Sequence, residues 1–394
     1  MSQVPPGPNA GPLAGVLVVA IEQAVAAPLA TRTLGDLGAR VIKVERPPAG
    51  DFTRLYDDVV RGQAAHFVWL NRGKESVVLD LAVPAGREAL HALLDRADVL
   101  VSNLGPGATG RLGIGPGELA ERHPRLIGIE ISGYGSGGPL SGKRAYDLLI
   151  QAESGACAVT GRPGEPAKPG PPYADTSTGL YAAIAAMGAL AERARTGRGR
   201  HIELGMFDVA VEMMGYQLTW TRYTGSDQQP VGLGSPAVAP YGAYPTADGR
   251  TVVLGTTNDA EWQRLTRIMI GRDDLAADAR YARNDDRVRA RGDLDAVLGE
   301  WCSRHTLSEV QAGAEAAGIG NAVYRTPSEV IDHPQLAARD RWRDVGSPAG
   351  PVRLPLPPLA SGGQDQMMGP VPGLGEHTKA VLAELGIDPA GLSG

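Results

Sequence analysis

An aspartate that follows a loop of glycines and prolines and opens an Ala-rich stretch is the residue of this chain best suited to act on a substrate carbonyl. Asp175 stands in Tyr173-Ala174-Asp175-Thr176-Ser177-Thr178-Gly179, after a Gly/Pro loop from Gly161 to Pro172 and before a helical run from about Thr176 to Arg195. Two readings are open at this point. Aspartate is a favoured helix N-cap, its carboxylate accepting hydrogen bonds from the first free amides. The same position holds a carboxylate ionised through the helix dipole, which suits a nucleophile attacking an acyl carbonyl. Local sequence does not separate the two.

Cations recur at the ends of expected strands: Lys43 and Arg46 after the second, Arg72 and Lys74 before the third, and Arg111 after the turn Asn103-Leu104-Gly105-Pro106-Gly107. Ligands of parallel sheets bind outside the carboxyl ends of the strands, so Arg46 and the Asn103 turn are placed to meet a phosphorylated ligand. Any one of these cations alone reads as solvated surface charge; their clustering is the stronger signal. The run Gly133-Tyr134-Gly135-Ser136-Gly137-Gly138 matches GxGxxG, but Pro139 and Ser141-Gly142 follow where a dinucleotide site needs a helix, so a plain glycine loop is expected. Cys157 and Cys302 are the only cysteines, with no CxxC and no Cys/His spacing suited to zinc, so neither a metal site nor a disulfide framework is expected. His66, His91, His123 and His201 lack ligand-like spacing, His305 and His333 read as surface or capping groups, and His377 reads as structural.

These residues need a scaffold, and the hydrophobic pattern supplies one. Short Val/Ile-rich runs alternate with Ala/Leu-rich stretches of helical period, the pattern of an α/β fold with a parallel sheet. Strands are expected at Val16–Ile21, Arg40–Val44, Ser76–Asp80, Val99–Asn103 and Leu126–Ile131, with helices at Pro28–Leu37, Pro84–Arg96 and Pro116–Glu121. A helical run from Tyr146 to about Cys157, a hairpin over Tyr241–Thr256 and a last helix near Thr378–Leu385 complete the reading. The chain's 394 residues exceed one ordinary core. The division expected is a large domain over 1–224, a smaller α+β domain over 225–325, and a segment 326–394 returning to the large one. With 43% hydrophobic and 21% charged residues and a net charge of -6, the composition is that of a globular protein without the basic blocks of a nucleic-acid binder. No stretch approaches the roughly 20 apolar residues of a membrane span, and Met1 to Pro12 lack signal-peptide character, so a cytoplasmic protein is expected.

Several blocks, taken in order along the chain, resemble the class III coenzyme A transferase (CaiB/BaiF) family over nearly its whole length. They are Gly11–Gly15, Leu34–Glu45, Asn71–Ser76, Asn103–Gly113, Thr196–Gly199, Pro240-Tyr241 with Pro245–Gly249, and Leu374–Thr378. The resemblance implies a Rossmann-like large domain, a small domain, and a homodimer of two interlocked ring-like subunits. It implies acyl-CoA as substrate with no permanently bound cofactor, and Asp175 as a nucleophile that becomes an aspartyl-CoA thioester. By the same carry-over Arg46, Lys74, Asn103, Leu104 and Arg111 meet the adenine, ribose and phosphates of CoA. Ala24 and Val25 fall near the thioester, Tyr134 lies in the loop lining the pantetheine, and Asn71 and Tyr146 join the set of CoA contacts. The chain departs from the family pattern at Ala20, Ser132 and Gly234-Ser235, which bears on substrate identity.

The α-methylacyl-CoA racemases share this resemblance, but they place a His where this chain has Tyr146. A tyrosine titrating near 10 is a poor partner for proton exchange at neutral pH, which favours the transferase. A catalytically inactive CoA-binding protein is the third reading, and the retained Asp175 argues against it. The run Ala145–Gly155 and the short Gly232–Pro240 loop resemble the branch acting on small dicarboxylates. Succinyl-CoA as donor, with a mesaconate-, malate-, citramalate- or itaconate-like acceptor, is the expectation.

Overall fold

In the computed structural model, which describes residues 11–359 and 368–388, the expected strands and helices of the first 130 residues form within two residues of their expected ends. Strands β1 (Leu17–Ile21), β2 (Arg40–Glu45), β3 (Glu75–Val78), β4 (Val99–Ser102) and β5 (Ile127–Ser132) are followed by a short ladder, β6 (Gly161–Arg162) with β7 (Glu165–Pro166), and then by β8 (His201–Gly205). Six of them make one parallel sheet in the order β3-β2-β1-β4-β5-β8. That order reverses between β1 and β4, and open α/β sheets bind ligands outside the carboxyl ends of the strands at such a switch point.

The helices up to Thr224 are α1 (Ala26–Asp36), α2 (Ala65–Asn71), α3 (Pro84–Leu94), α4 (Ala108–Arg111), α5 (Pro116–Arg122), α6 (Asp147–Glu153), α7 (Tyr173–Thr196), α8 (Met206–Met213) and α9 (Gly215–Thr224). Every residue of α1 except Arg32 is buried, the signature of a helix covered on all sides. Its Ala26, Ala27 and Ala30 share one core with Val18 and Ala20 of β1 and with Ala182, Ala183 and Ala186 of α7. Alanines on both helices let their backbones approach closely. At Gly179 the approach is limiting: a Cβ there would lie 2.6 Å from the Ala26 carbonyl oxygen and 3.0 Å from Leu29 Cβ. The other face of the sheet packs Leu17, Val19 and Ile42 against Leu90, Leu93 and Leu94 of α3. The last helix, Thr378–Leu385, closes this core with Val381 and Leu382 and is tied to the sheet by Arg40, which bonds Glu75 and Glu384.

Two departures from the expected elements concern the site. The helix after Tyr146 ends at Glu153, short of Cys157, and α7 begins at Tyr173, three residues before Thr176. The chain divides into two compact units, one of Met1–Gly155, Pro169–Gly215 and Asp340–Gly394, the other of Ala156–Lys168 and Tyr216–Arg339. The second unit holds the expected hairpin, β9 (Tyr241–Pro245) and β10 (Thr251–Gly255), with a third antiparallel strand, β11 (Gly320–Val323), that the sequence pattern did not reveal. Its core is organised on Trp262, and the buried Arg287 donates to Ala239 O, Tyr281 O and Asp259. Among the described residues no helix is long and apolar enough to cross a membrane.

Candidate active site

The ends of β1 and β4 are joined at the switch point by a reciprocal clamp. Asn103 Oδ1 accepts from the Gln23 N–H at 2.9 Å, and Asn103 Nδ2 donates to Gln23 O at 2.7 Å. The clamp fixes the turn leading into α1, where Ala24 adopts a left-handed φ of 63°, a conformation costly to a residue with a Cβ. The Ala24 N–H points to Asp51 Oδ1 at 3.4 Å, while Val25 is buried against Leu29 and Leu70. Asn103, expected to meet the ligand directly, instead spends its amide on shaping this turn.

A cavity of about 460 Å³ opens beside the clamp, at the carboxyl ends of β1, β2 and β3. Arg46, Leu104 and Arg111 line it, together with Glu22, Glu45 and Asp51. Arg46 and Arg111 are exposed, and neither has an ion-pair partner among the described residues. They are the cations of the expected set that stand ready for an anionic ligand.

Lys74 and Asn71, also marked by the sequence, are buried and do not line this cavity. Lys74 is 3% exposed, and its ammonium is fully engaged, donating to Glu22 Oε1 at 2.6 Å, Pro28 O at 2.9 Å and Asn71 Oδ1 at 3.0 Å. Asn71 is wholly buried and donates in turn to Phe67 O. Lys43 completes the cluster with bonds to Asp51 at 2.8 Å and Glu22 at 3.3 Å. Two buried lysines thus share two buried carboxylates. Burial brings Lys74 down to about 7 against the pull of Glu22, with the Lys43 charge adding to the fall. Glu22 and Asp51 stay below the usual carboxylate range because the lysine charges outweigh their burial. A sequence cannot distinguish a lysine at a strand's mouth from one beneath it.

Asp175 lies in the first turn of α7, on the same face as Gly179 one turn later, so the close approach at Gly179 brings it toward the turn that opens α1. It is not the N-cap. Pro172 occupies that position, and the cap is supplied from 27 residues away: Asp147 Oδ1 accepts from the Ala174 N–H at 2.9 Å and from the Asp175 N–H at 3.3 Å. The amides expected to hold Asp175 ionised therefore serve another carboxylate. Burial pushes the Asp175 carboxyl up to about 7, and the Asp147 charge adds to the rise. Tyr146, the residue before α6, is exposed. The Tyr56 phenol is raised by burial first, then by Asp51, Asp175 and Tyr146, which puts each of those three within electrostatic reach of Tyr56. Neither Tyr56, Asp51 nor Asp147 was marked by the sequence. Asp147 alone left a trace, as the neighbour of Tyr146.

The glycine loop behaves as its composition requires. Gly135, Gly137 and Gly138 have positive φ, and no helix follows until α6. Ser132 Oγ accepts from the Gly135 N–H at 3.0 Å, and both Ser132 and Ser136 donate to Glu203. Tyr134 packs on Phe207, and the Lys143 ammonium lies over its ring, 5.4 Å from the centroid. Among the histidines, His333 caps the helix Pro334–Ala338, and His377 Nδ1 accepts from the Ser76 N–H.

The sequence profile described as CoA-transferase family III matches residues 13–378. This chain belongs to CoA-transferase family III. As a CoA-transferase of that family it is 34% identical to the succinate–glutarate CoA-transferase of Agrobacterium fabrum, over 95% of this chain and 96% of that one. It is 33% identical to the probable fatty acyl-CoA transferase Rv3272 of Mycobacterium tuberculosis, over 96% and 100%. Among solved structures, a CaiB/BaiF family protein from Brucella suis superposes with a TM-score of 0.81 at 35% identity, covering 96% of this transferase and all of that chain.

Proposed function

We propose that this CoA-transferase moves CoA between small dicarboxylic acids through a covalent intermediate on Asp175. The carrying observation is a half-buried carboxylate in the first turn of a helix, pushed up to about 7, in the same unit as a cavity lined by Arg46 and Arg111. Arg46 and Arg111 hold the phosphates of the incoming acyl-CoA, as forked guanidinium donors suit. A carboxylate oxygen of Asp175 attacks the thioester carbonyl, the C–S bond breaks, and CoA leaves as thiolate, giving an acyl-aspartyl anhydride. The thiolate then attacks Asp175 Cγ, releases the donor acid and leaves an aspartyl-CoA thioester. The acceptor carboxylate attacks that thioester to form a second anhydride. Thiolate attack on the acceptor acyl carbon yields the new acyl-CoA and restores Asp175.

The dicarboxylate assignment is supported by the likeness to the succinate–glutarate transferase and by the run Ala145–Gly155. Incubation with succinyl-CoA and a panel of acids, read by mass spectrometry, tests both parts. The expected result is exchange to small dicarboxylates, with a CoA adduct on the peptide carrying Asp175 and none in Asp175→Ala. Exchange surviving in Asp175→Ala refutes the covalent scheme, and preference for a monocarboxylate or long acyl chain refutes the substrate class.

We further propose a homodimer. No residue of α9 is buried, and it exposes Tyr216, Leu218, Trp220 and Tyr223, while α7 exposes Leu180 and Ile184. Apolar exposure of this kind on a helix marks an association surface.

A further inference from the structure

We propose that Asp147 is the positioning residue for Asp175: it takes the amide N–H groups at the start of α7 that would otherwise stabilise the Asp175 carboxylate, and so makes that carboxylate the stronger base and nucleophile. The inference rests on Asp175 being the nucleophile of the transfer.

The geometry fixes Asp147 at both oxygens. One accepts from the Ala174 and Asp175 amides, and the other accepts from Gln151 Nε2 at 2.7 Å. Gln151 is itself wholly buried, so the strut from α6 to α7 has little freedom. A free helix start would lower the pKa of an acid in its first turn. Here those amides serve a second anion, and a like charge close by disfavours ionisation of Asp175.

The other titratable groups near this end of α7 are the phenols of Tyr173, its first residue, and of Tyr56, with Asp51 and Tyr146 in electrostatic reach of Tyr56. The first turn of α1, Ala26-Ala27-Pro28-Leu29, carries none. On the remaining neighbours, Asp208 of α8 sits against Gly205, Glu212 is exposed, Glu130 of β5 is bonded to His201, and Glu153 of α6 is paired with Lys143. Among the described residues Asp147 is the one charge that moves Asp175, and it moves it upward. A carboxylate that is more basic donates its electron pair more readily to a thioester carbonyl.

Asp147→Asn separates charge from shape. The new side chain keeps an oxygen for the two amides. Its N–H replaces the acceptor of Gln151 Nε2, and the Gln151 amide can turn, because its buried Oε1 has no partner among the described residues and would then accept that N–H.

A water-soluble carbodiimide with an amine tags carboxyls in their protonated form. Tagging of the Asp175 peptide in the full-length protein, followed across about pH 5 to 9 by mass spectrometry, reads the proton without needing turnover. The wild type should show a midpoint near 7. Asp147→Asn should lower it by about one pH unit, Asp147→Glu should restore it, and the acidic limb of kcat/KM for CoA exchange should shift with the label. A midpoint unmoved in Asp147→Asn, or a uniform fall in rate with no shift of the limb, overturns the proposal. If Asp175→Ala still exchanges CoA, the nucleophile reading fails separately, and the labelling midpoint still decides what Asp147 does to Asp175.

Discussion

Arg111 and Lys74 carry the same formal charge and lie in similar sequence contexts, yet their surroundings assign them opposite roles. Arg111 is exposed at the cavity rim without an ion-pair partner, so Arg111→Ala should weaken CoA binding about tenfold at low salt. Titration calorimetry at rising ionic strength should show the loss shrinking, since the attraction to phosphate is screened. Lys74→Ala instead removes one of the two cations of a buried cluster, leaves Glu22 with the more distant Lys43, and should cost about 3 kcal/mol in urea melts. Asp175 makes a stability prediction of its own. Its folded-state pKa lies above the ordinary carboxylate value, so the folded protein binds that proton more tightly and stability falls as pH rises through the window between about 4 and about 7. The penalty is complete at pH 8. Asp175→Asn should therefore be more stable than wild type there, by about 1–2 kcal/mol given the partial exposure of the group, and the gain should vanish near pH 4.

At the scale of the element, the decisive contact is between α1 and α7. A glycine inside a helix is ordinarily improved by alanine, by about 1 kcal/mol. At Gly179 the added Cβ would lie 2.6 Å from the Ala26 carbonyl oxygen, so Gly179→Ala should instead destabilise by about 2 kcal/mol and lower exchange by displacing Asp175. A stabilised, fully active variant would show that the two helices need not touch so closely. The clamp of Asn103 on Gln23 works at the same scale, joining two strand ends that are 80 residues apart in sequence.

For the whole molecule, a helix with no buried residue and four large apolar side chains exposed predicts an obligate partner. Sedimentation should find a dimer, and Trp220→Asp combined with Tyr223→Asp should weaken or abolish it. A wild-type monomer at micromolar concentration would refute the homodimer.

The sequence alone determined the parallel α/β sheet, the order of its first helices and the place of Asp175 at a helix start. Those features follow from periodicity and turn residues within a dozen positions of each other, and periodicity is written locally. It also marked Arg46, Leu104 and Arg111, which line one cavity because the carboxyl ends of parallel strands all open on one side. Only the tertiary structure decided that Lys74 and Asn71 face inward, that Asn103 holds a turn, and that Asp147 caps the helix of Asp175. In each case the deciding partner lies on another element, and burial and charge pairing across such distances leave no periodic trace in the chain. The protonation of Asp175 is the clearest instance. A helix start by itself predicts a carboxylate held ionised, whereas burial beside a second carboxylate, 28 residues earlier in the chain, reverses the sign.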